Sequence, residues 1–279
     1  MPNPISDPLV EVVDTDATSD LVRMESTVEG AVTVVLNRPT RKNAFDAELI
    51  AALEETFRTL VAAEGVRVVF VRGAGAMFSA GADLEWMRAA ADRSEGDNRD
   101  DAFEMAKMLK ALWDIPALTV ALVEGGAFGG GAGVAAACDL AIATRDAKFS
   151  FSEVRLGLIP ATISPYVVQA IGPRAARGLF ATGQVFDAAH AERIGLITEI
   201  VADVAALDAA RDRTAKAILA CAPGAVAASK KLVADVMGHR IDHGLMEETA
   251  KRIAVARVGD EGQEGVRAFL ERRKPRWAE

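Results

Sequence analysis

The stretch VALVEGGAFGGGAG, residues 120–133, decides how the rest of the chain is interpreted. It continues a run of small and β-branched apolar residues, Ala117 to Val123, which predicts a buried strand. Six glycines follow between positions 125 and 133, and a helical pattern resumes over 134–138. A strand that ends in glycines and restarts as a helix leaves backbone N–H groups free at the positive helix end. Such a place can bind an anion, or an oxygen that becomes one during a reaction, although glycines also serve tight packing.

Composition and charge exclude several classes of protein. The chain has 279 residues, of which 51% are apolar and 26% charged, which predicts one large globular core with or without an appendage. A net charge of −8 argues against nucleic acid as a main partner. Cys138 and Cys221 are too few for a disulfide scaffold, and we expect buried free thiols in a reducing cytosol. The chain has no signal-peptide pattern and no run of about 18 apolar residues, so a cytoplasmic location without a membrane span is expected.

Predicted strands and helices alternate over residues 20–200, and helical patterns occupy the rest of the chain. The β-prone runs 21–27 and 31–37 predict a hairpin, because the residues between them favour a turn. The polar stretch 91–101 predicts a mobile surface loop. Gly172-Pro173 predicts a break between two helices.

Helix starts and domain limits follow from the same patterns. Side-chain oxygens precede four helical segments and predict N-caps at Asp46, Ser164, Asp187 and Asp203. The expected fold class is α/β, with strands and helices alternating before an all-helical region. The predicted divisions are a flexible extension, a core and a helical domain, over residues 1–19, 20–203 and 204–279.

Two strand ends that contain glycine are the predicted catalytic segments. They are Phe78-Ser79-Ala80-Gly81-Ala82-Asp83 and Ala127-Phe128-Gly129-Gly130-Gly131. Each offers a bare backbone N–H where a strand gives way to a helix. Two such donors that converge on one carbonyl oxygen make an oxyanion hole, which suits a reaction that passes through an enolate.

Together these stretches resemble the crotonase, or enoyl-CoA hydratase/isomerase, superfamily over residues 20–279. The matching motifs are Asn37-Arg38-Pro39 with Asn43-Ala44-Phe45, residues 78–84, Gly129-Gly130-Gly131 with residues 137–141, Ser152-Glu153-Val154, and Gly157-Leu158-Ile159-Pro160. The resemblance implies a crotonase-like ββα superhelical core with a helical C-terminal trimerisation region. It also implies a homotrimer or a homohexamer that acts on acyl-CoA.

The resemblance further implies that N–H groups of Ala80 and Gly130 hold the thioester oxygen. The CoA moiety is expected along Arg41, Lys42, Ala44, Ala80, Gly81, Ala82, Asp83 and Leu84. In the family the C-terminal helices help to cover the nucleotide. A basic cluster, Arg272, Arg273, Lys274 and Arg276, would suit its phosphates, although a helix end favoured by the dipole explains the cluster equally well. CoA is part of the substrate, and we expect no separate cofactor and no metal.

One position departs from the family pattern. Hydratases of this family usually have two glutamates, and the position of the first is Gly133 in this chain. The second matches Glu153, which leaves Glu153 as the catalytic carboxylate. Glu153 could take a proton from water as the oxygen attacks Cβ and then return it to Cα, which is hydration. It could also move a proton between Cα and Cγ, which is isomerisation. Either role needs a pKa raised by an apolar pocket.

The choice between these two reactions rests on resemblance. Residues 152–166 are similar to hydratases of the branched-chain, methylglutaconyl-CoA type, which also tend to have glycine in place of the first glutamate. We therefore favour hydration and keep isomerisation as the alternative.

Other interpretations fit the residues less well. Ser79 lacks the flanking glycine of a nucleophile elbow, because position 77 is methionine. His239 and His243 have no further ligand pattern, so a metal site is not expected. The glycine run follows a late strand, which argues against a dinucleotide-binding fingerprint. A non-catalytic scaffold that binds CoA or RNA is a third hypothesis, and the acidic balance disfavours its RNA form.

Overall fold

The computed structural model describes residues 20–279, so the extension predicted over residues 1–19 lies outside the described part. Strands and helices alternate along this part before a helical end. The strands are β1 (Val22–Ser26), β2 (Ala31–Leu36), β3 (Val68–Gly73), β4 (Leu118–Val123), β5 (Gly126–Phe128), β6 (Leu140–Thr144), β7 (Lys148–Ser150), β8 (Phe186–Asp187) and β9 (Glu199–Val201). The α-helices are α1 (Ala47–Ala62), α2 (Leu84–Ala91), α3 (Glu95–Asp114), α4 (Gly130–Ala137), α5 (Ser164–Thr182), α6 (Ala188–Ile194), α7 (Val204–Leu219), α8 (Pro223–Val236), α9 (His243–Val258) and α10 (Asp260–Glu271).

The strands form two sheets. The larger has the order β1-β2-β3-β4-β6-β9, and its pairs are parallel except for the β1/β2 hairpin, as predicted. The smaller has the order β5-β7-β8. The chain steps from β4 in the first sheet to β5 in the second through Gly125, whose φ of 68° favours glycine. This step carries the glycine run out of the large sheet.

Both faces of the large sheet are buried, which explains the continuous apolar runs of its central strands. Along β3, Val69 and Val71 join the main core, while Val68 and Phe70 join a smaller core on the opposite face. The smaller core includes Leu207 of α7. Helices α1, α3, α4 and α5 all contribute to the main core. The site elements therefore rest on densely packed structure.

The prediction of a mobile loop over residues 91–101 is wrong, because α3 begins inside it. Ser94 and Asp97 form a capping box, in which each side chain accepts a hydrogen bond from the other residue's backbone N–H. The first turns of α3 are exposed and polar, whereas its later turns bury residues such as Met105 and Leu109. A solvated helix start therefore had the composition of a loop.

Most predicted helix limits are confirmed. The side chains of Asp46, Asp187 and Asp203 accept hydrogen bonds from backbone N–H groups in the first turns of α1, α6 and α7. Gly172 interrupts α5 with φ 74° and ψ 162°, as its pairing with proline predicted. The prediction of Ser164 as the N-cap of α5 is wrong. Ile163 occupies that position, and the Ser164 hydroxyl donates to the carbonyl of Ala161.

The C-terminal helices differ from the core in burial. Helices α8 and α9 have no buried residue within the described chain. Helix α8 is fixed by Lys230, whose ammonium donates to the carbonyls of Ile115 and Ala117 at 2.8 and 2.7 Å and pairs with Asp139 at 2.6 Å. In residues 20–279 no single helix is long and apolar enough to cross a bilayer. Only α7 and α8 taken together, bent by 102°, reach that length and composition.

Both cysteines are free, as predicted, but only one is buried. Burial raises the pKa of the Cys138 thiol well above its usual range. Cys221 is exposed, so the prediction that both thiols are buried is wrong for this residue. It lies just beyond the end of α7, where the chain turns into α8.

Candidate active site

The glycine run forms the junction between β5 and α4. Gly129 has φ 50° and ψ −117°, a backbone conformation that a residue with a side chain rarely adopts. Its N–H donates to the carbonyl of Ser150 at the end of β7, at 2.9 Å. Gly130 is the first residue of α4, and its N–H has no hydrogen-bond partner among residues 20–279. The junction therefore presents a free donor at the positive end of a helix.

The second predicted loop lies directly beside this junction. Ser79 donates its N–H to the carbonyl of Gly126 at 3.1 Å and accepts from the N–H of Phe128 at 3.0 Å. Gly81, with φ 91°, packs so closely against Phe128 that an added Cβ would lie 3.0 Å from the Phe128 carbonyl oxygen. The structure thus brings together the two glycine-bearing strand ends.

The donor predicted on this second loop is wrong by two residues. The N–H of Ala80 already donates to the carbonyl of Lys42 at 2.9 Å, so it is not free to bind a substrate. The N–H of Gly81 donates to the Ser79 hydroxyl at 3.2 Å. The chain turns at Gly81, and the N–H of Ala82 has no partner within the described residues. The loops that meet at Gly81 and Phe128 therefore each carry a free backbone donor just beyond the contact, Ala82 in one and Gly130 in the other.

A buried amide holds the loops of the site together. Asn43 is fully buried, and its Nδ2 donates to the carbonyls of Ala74 and Met77 at 2.9 and 2.7 Å. Its Oδ1 accepts from the N–H of Arg38 at 2.9 Å. The Ser79 hydroxyl donates in turn to the Asn43 carbonyl at 2.8 Å. Sequence reasoning noted Asn43 only as part of a motif, because these partners lie on other loops.

Asp83, predicted among the CoA contacts, is engaged within the protein. Its carboxylate caps α2 by accepting from the N–H groups of Glu85 and Trp86, and it lies 3.4 Å from the Arg38 guanidinium. Burial opposes ionisation, but the two N–H donors and the positive charge of Arg38 hold the pKa of Asp83 below its usual range. Asp83 therefore fixes the entry into α2.

Four other residues predicted to contact CoA differ in their exposure. Arg41, Lys42 and Leu84 are exposed, whereas Ala44 is buried. Arg41 makes a surface ion pair with Glu85 at 3.3 Å. Because the Lys42 carbonyl accepts from the Ala80 N–H, these two basic residues lie at the edge of the candidate site.

The C-terminal basic cluster is partly consumed by intrachain pairing. Arg273 contacts the buried carboxylate of Glu264 at 2.6 Å, and Arg276 lies 4.0 Å from it. These hydrogen bonds and charges lower the pKa of Glu264 to about 2. Arg272 and Lys274 are exposed and have no ion-pair partner in the described chain. Only these two side chains of the cluster are free to meet a ligand.

Glu153 lies against the glycine junction. Strand β7 is parallel to β5, and three residues beyond its end Glu153 begins a short 3-10 turn that ends at Leu156. Its Oε1 is 3.1 Å from the place that a Cβ on Gly129 would occupy. Its Oε2 is buried without a hydrogen-bond partner among residues 20–279. Burial raises the pKa of this carboxyl group. A carboxylate in this setting can serve as both base and acid near neutral pH.

Sequence reasoning missed the apolar residues around the free donor. A Cβ on Gly130 would lie 3.0 Å from Cε of Met105 and 3.3 Å from Cδ2 of Phe45. Both side chains are buried, and Met105 belongs to α3, whose start was mistaken for a loop. Their distance from Gly130 along the chain hides the contact from pattern analysis.

An open cavity of about 1150 Å³ borders the back of the Glu153 turn. Val154 and Ile159 line it on one side, and Arg174 and Arg177 of α5 line it on another. Glu153 and Gly130 do not line it, so this cavity is separate from the candidate site. Among the described residues, no group of three or more His, Cys, Asp or Glu side chains is arranged to hold a metal ion.

Comparisons with known proteins identify the family of this chain. Residues 26–279 match the family model described as enoyl-CoA hydratase/isomerase. A Thermus thermophilus protein, provisionally named an enoyl-CoA hydratase, is 34% identical over 250 residues, covering 89% of this chain and 98% of its own.

Two crystal structures are similar over nearly the whole chain. One is from Legionella pneumophila, provisionally assigned as an enoyl-CoA hydratase/isomerase (crotonase), with a TM-score of 0.88 and 42% identity over 93% of this chain and 100% of its own. The other is an enoyl-CoA hydratase from Shewanella pealeana, with a TM-score of 0.88 and 39% identity over 92% of this chain and 96% of its own. The chain therefore belongs to the enoyl-CoA hydratase/isomerase family and has the crotonase fold.

Proposed function

We propose that this protein adds water across the 2,3 double bond of an enoyl-CoA thioester, with Glu153 as its single acid–base group. The observation that carries the proposal is the Glu153 carboxyl group. It lies beside Gly129, immediately before the free N–H of Gly130, and one of its oxygens is buried and unpartnered. An unpartnered buried carboxyl oxygen is costly unless a ligand or substrate uses it.

The thioester carbonyl oxygen accepts hydrogen bonds from Ala82 and Gly130 in this proposal. Both N–H groups lack partners among the described residues, and the loops that carry them are hydrogen-bonded together. Fixed donors of this kind stabilise the negative charge that develops on the oxygen as the enolate forms. Ala82 replaces Ala80 in this role, because the Ala80 N–H is bound to Lys42.

Glu153 moves one proton during the hydration. Its carboxylate takes a proton from water as the water oxygen forms a bond to Cβ. The π electrons of the double bond move onto the thioester oxygen, and the enolate then takes the proton from Glu153 at Cα. The raised pKa of Glu153 suits both halves of this transfer. Addition and protonation occur on the same face of the substrate, because one group serves both.

The CoA moiety is proposed to lie over the exposed side chains of Arg41 and Lys42 at the edge of the loop. Arg272 and Lys274 are the remaining candidates for contact with its phosphates. The substrate supplies CoA, so the reaction as proposed needs no resident cofactor and no metal. The resemblance to methylglutaconyl-CoA hydratases predicts a branched acyl group, which the substrate panel described below tests.

Isomerisation is the second candidate function. The observation that favours it is Gly133, which is a buried glycine where the two-glutamate hydratases have a carboxylate. Glu153 would then remove a proton from Cα of a 3-enoyl-CoA and return it at Cγ, so that the double bond moves to the 2,3 position without water.

A product-resolved assay separates these functions. Purified protein is given 2-enoyl-CoA, 3-enoyl-CoA and 3-methylglutaconyl-CoA, and the products are identified by chromatography and mass. Hydration yields a hydroxyacyl-CoA with loss of the conjugated absorbance, whereas isomerisation of a 3-enoyl-CoA gains that absorbance with no change in mass. Glu153→Gln is expected to lower the active reaction about a hundredfold or more. Retention of most activity by this variant would refute the role of Glu153.

The assembly is also a proposal. We infer that α8, α9 and α10 mediate a homotrimer or homohexamer, since Val258, Phe269 and Leu270 are each at least 75% exposed in the single chain. Exposed apolar side chains on neighbouring helices are typical of an interface. The cytoplasmic location stays a prediction.

A further inference from the structure

A second feature of α4 restricts what the site can contain. Gly133 is buried, and a Cβ added to it would lie 2.1 Å from Cγ2 and 2.7 Å from Cβ of Ile163. Both distances are far shorter than the contacts that side-chain carbon atoms tolerate. Even an alanine methyl group therefore cannot fit at position 133 while Ile163 keeps its place.

Ile163 is not free to move aside. It is 2% exposed and belongs to the main core. It is also the N-cap residue of α5, and its carbonyl accepts the N–H of Val167 at 3.1 Å. A β-branched side chain at a helix start has few rotamers, so rotation alone does not clear the space.

Position 133 is one helical turn from Gly129, the residue that contacts the Glu153 carboxyl group. The N–H of Gly133 donates to the carbonyl of Gly129 at 3.0 Å, and Gly129 faces Oε1 of Glu153. One turn advances about 5.4 Å along the helix. The position that the family resemblance assigns to the first glutamate is therefore one turn from a residue that touches Glu153.

We propose that Ile163 is a specificity-determining residue, because it fills the space of a side chain at position 133 and so excludes a second acid–base group from the site. This inference rests on the proposed function. With Glu153 as the single group, the O–H bond of water breaks to Glu153, the C–O bond forms at Cβ, and the same carboxyl group delivers the proton to Cα. Every proton that the reaction removes or returns then passes through this one carboxyl group.

The steric part is tested by a double-mutant cycle on unfolding temperature. Gly133→Ala should lower Tm strongly in the wild-type background and much less in an Ile163→Gly background, because glycine removes both offending carbons. Ile163→Ala is not sufficient, since its Cβ would remain 2.7 Å away. The matched control is Gly178→Ala in α5, where an added Cβ meets no atom of residues 20–279 within 4 Å and no loss is expected. Equal losses from Gly133→Ala in both backgrounds would overturn the proposal.

The chemical part compares two variants of nearly equal shape. Gly133→Glu with Ile163→Gly should hydrate 2-enoyl-CoA about tenfold faster or more than Gly133→Gln with Ile163→Gly. The pH profile of kcat should show a second ionisation only in the glutamate variant. Identical rates and pH profiles in the two folded variants would contradict the exclusion of a second acid.

The proposed function and the role of Ile163 can be refuted independently. If the wild type neither hydrates nor isomerises any enoyl-CoA, the proposed function is wrong, while the unfolding cycle still decides whether Ile163 blocks position 133. If the wild type is active and the cycle shows no coupling, the proposed function stands and the role of Ile163 is refuted.

Discussion

The glycine junction and the C-terminal helices are built in opposite ways. Around Gly129 and Gly130, loops are tied by backbone hydrogen bonds and by the Asn43 amide, and glycines pack with no space for side chains. Helices α8 and α9 have no buried residue in the described chain and are anchored to the core by Lys230. The contrast is between a junction fixed by contacts within the chain and C-terminal helices that leave apolar side chains such as Phe269 exposed.

The largest effect in this comparison is expected from Asn43→Ala. The substitution leaves the carbonyls of Ala74 and Met77 and the N–H of Arg38 without partners in a buried setting. It should cost about 3 kcal/mol of unfolding free energy and lower activity as well. Asn98→Ala is the control, because the Asn98 side chain also makes three hydrogen bonds, all as donor to carbonyls, but is more exposed. Chemical denaturation and kcat/KM of both variants provide the measurement, and equal losses would contradict a special role for Asn43.

Lys230→Met should loosen the C-terminal helices and leave the site unchanged. The variant loses two carbonyl contacts and the pairing with Asp139, which together are worth about 2 kcal/mol. Hydrogen exchange should then rise in α8, while kcat on the active substrate stays constant. Lys231→Met is the matched control, since Lys231 is exposed and, within residues 20–279, its ammonium pairs only with its helix neighbour Asp235. A fall in kcat without faster exchange in α8 would contradict the separation of the two regions.

Glu153→Gln gives a smaller and pH-dependent change in stability. Burial raises the pKa of Glu153, so the folded protein holds this proton to higher pH than the unfolded chain does. The resulting stabilisation is complete below the unfolded pKa and is lost as the pH rises through the folded pKa. The glutamine variant cannot lose a proton. Its Tm should therefore exceed that of the wild type near neutral pH and change less between about pH 4 and about pH 8. Parallel Tm curves for the two proteins would refute the raised pKa.

Phe269→Glu should have the smallest effect on the fold of the single chain and a clear effect on assembly. Phe269 is 82% exposed, so the substitution should change the unfolding free energy of one chain by less than about 0.5 kcal/mol. A charge on this face of α10 should nevertheless shift the mass measured by light scattering towards the monomer. Val28→Glu is the control, since Val28 is 83% exposed in the β1/β2 turn, on another surface. An unchanged mass for Phe269→Glu would remove α10 from the proposed interface.

Local patterns were sufficient for much of the fold. Caps such as Asp46 and the break at Gly172 depend on a few neighbouring residues, and both were predicted correctly. Residues 91–101 were not, because the first turns of a solvated helix and a polar loop have the same composition. The capping box of Ser94 and Asp97 was the available signal.

Motifs named the residues of the candidate site but not their contacts. The parallel pairing of β5 and β7 brings Glu153 against Gly129, the residue before Gly130, and the catalytic roles of Glu153 and Gly130 stay predictions. Ala80 was the wrong donor, because its N–H is consumed by Lys42, from a loop almost forty positions earlier in the chain. The contact between Gly133 and Ile163 is likewise long-range. A missing glutamate is visible in the sequence, but the atom that fills its space is not.

The tight contact at Gly133 also limits how this sequence can change over generations. A single substitution at position 133 meets the Ile163 side chain, and a single loss of the Ile163 side chain leaves a hole in the core. Each substitution alone is expected to lower the stability of the fold. Both substitutions are therefore needed before a second carboxyl group at position 133 can be selected. The proposed one-carboxylate site is therefore expected to persist through neutral drift, because either single substitution lowers the stability of the fold.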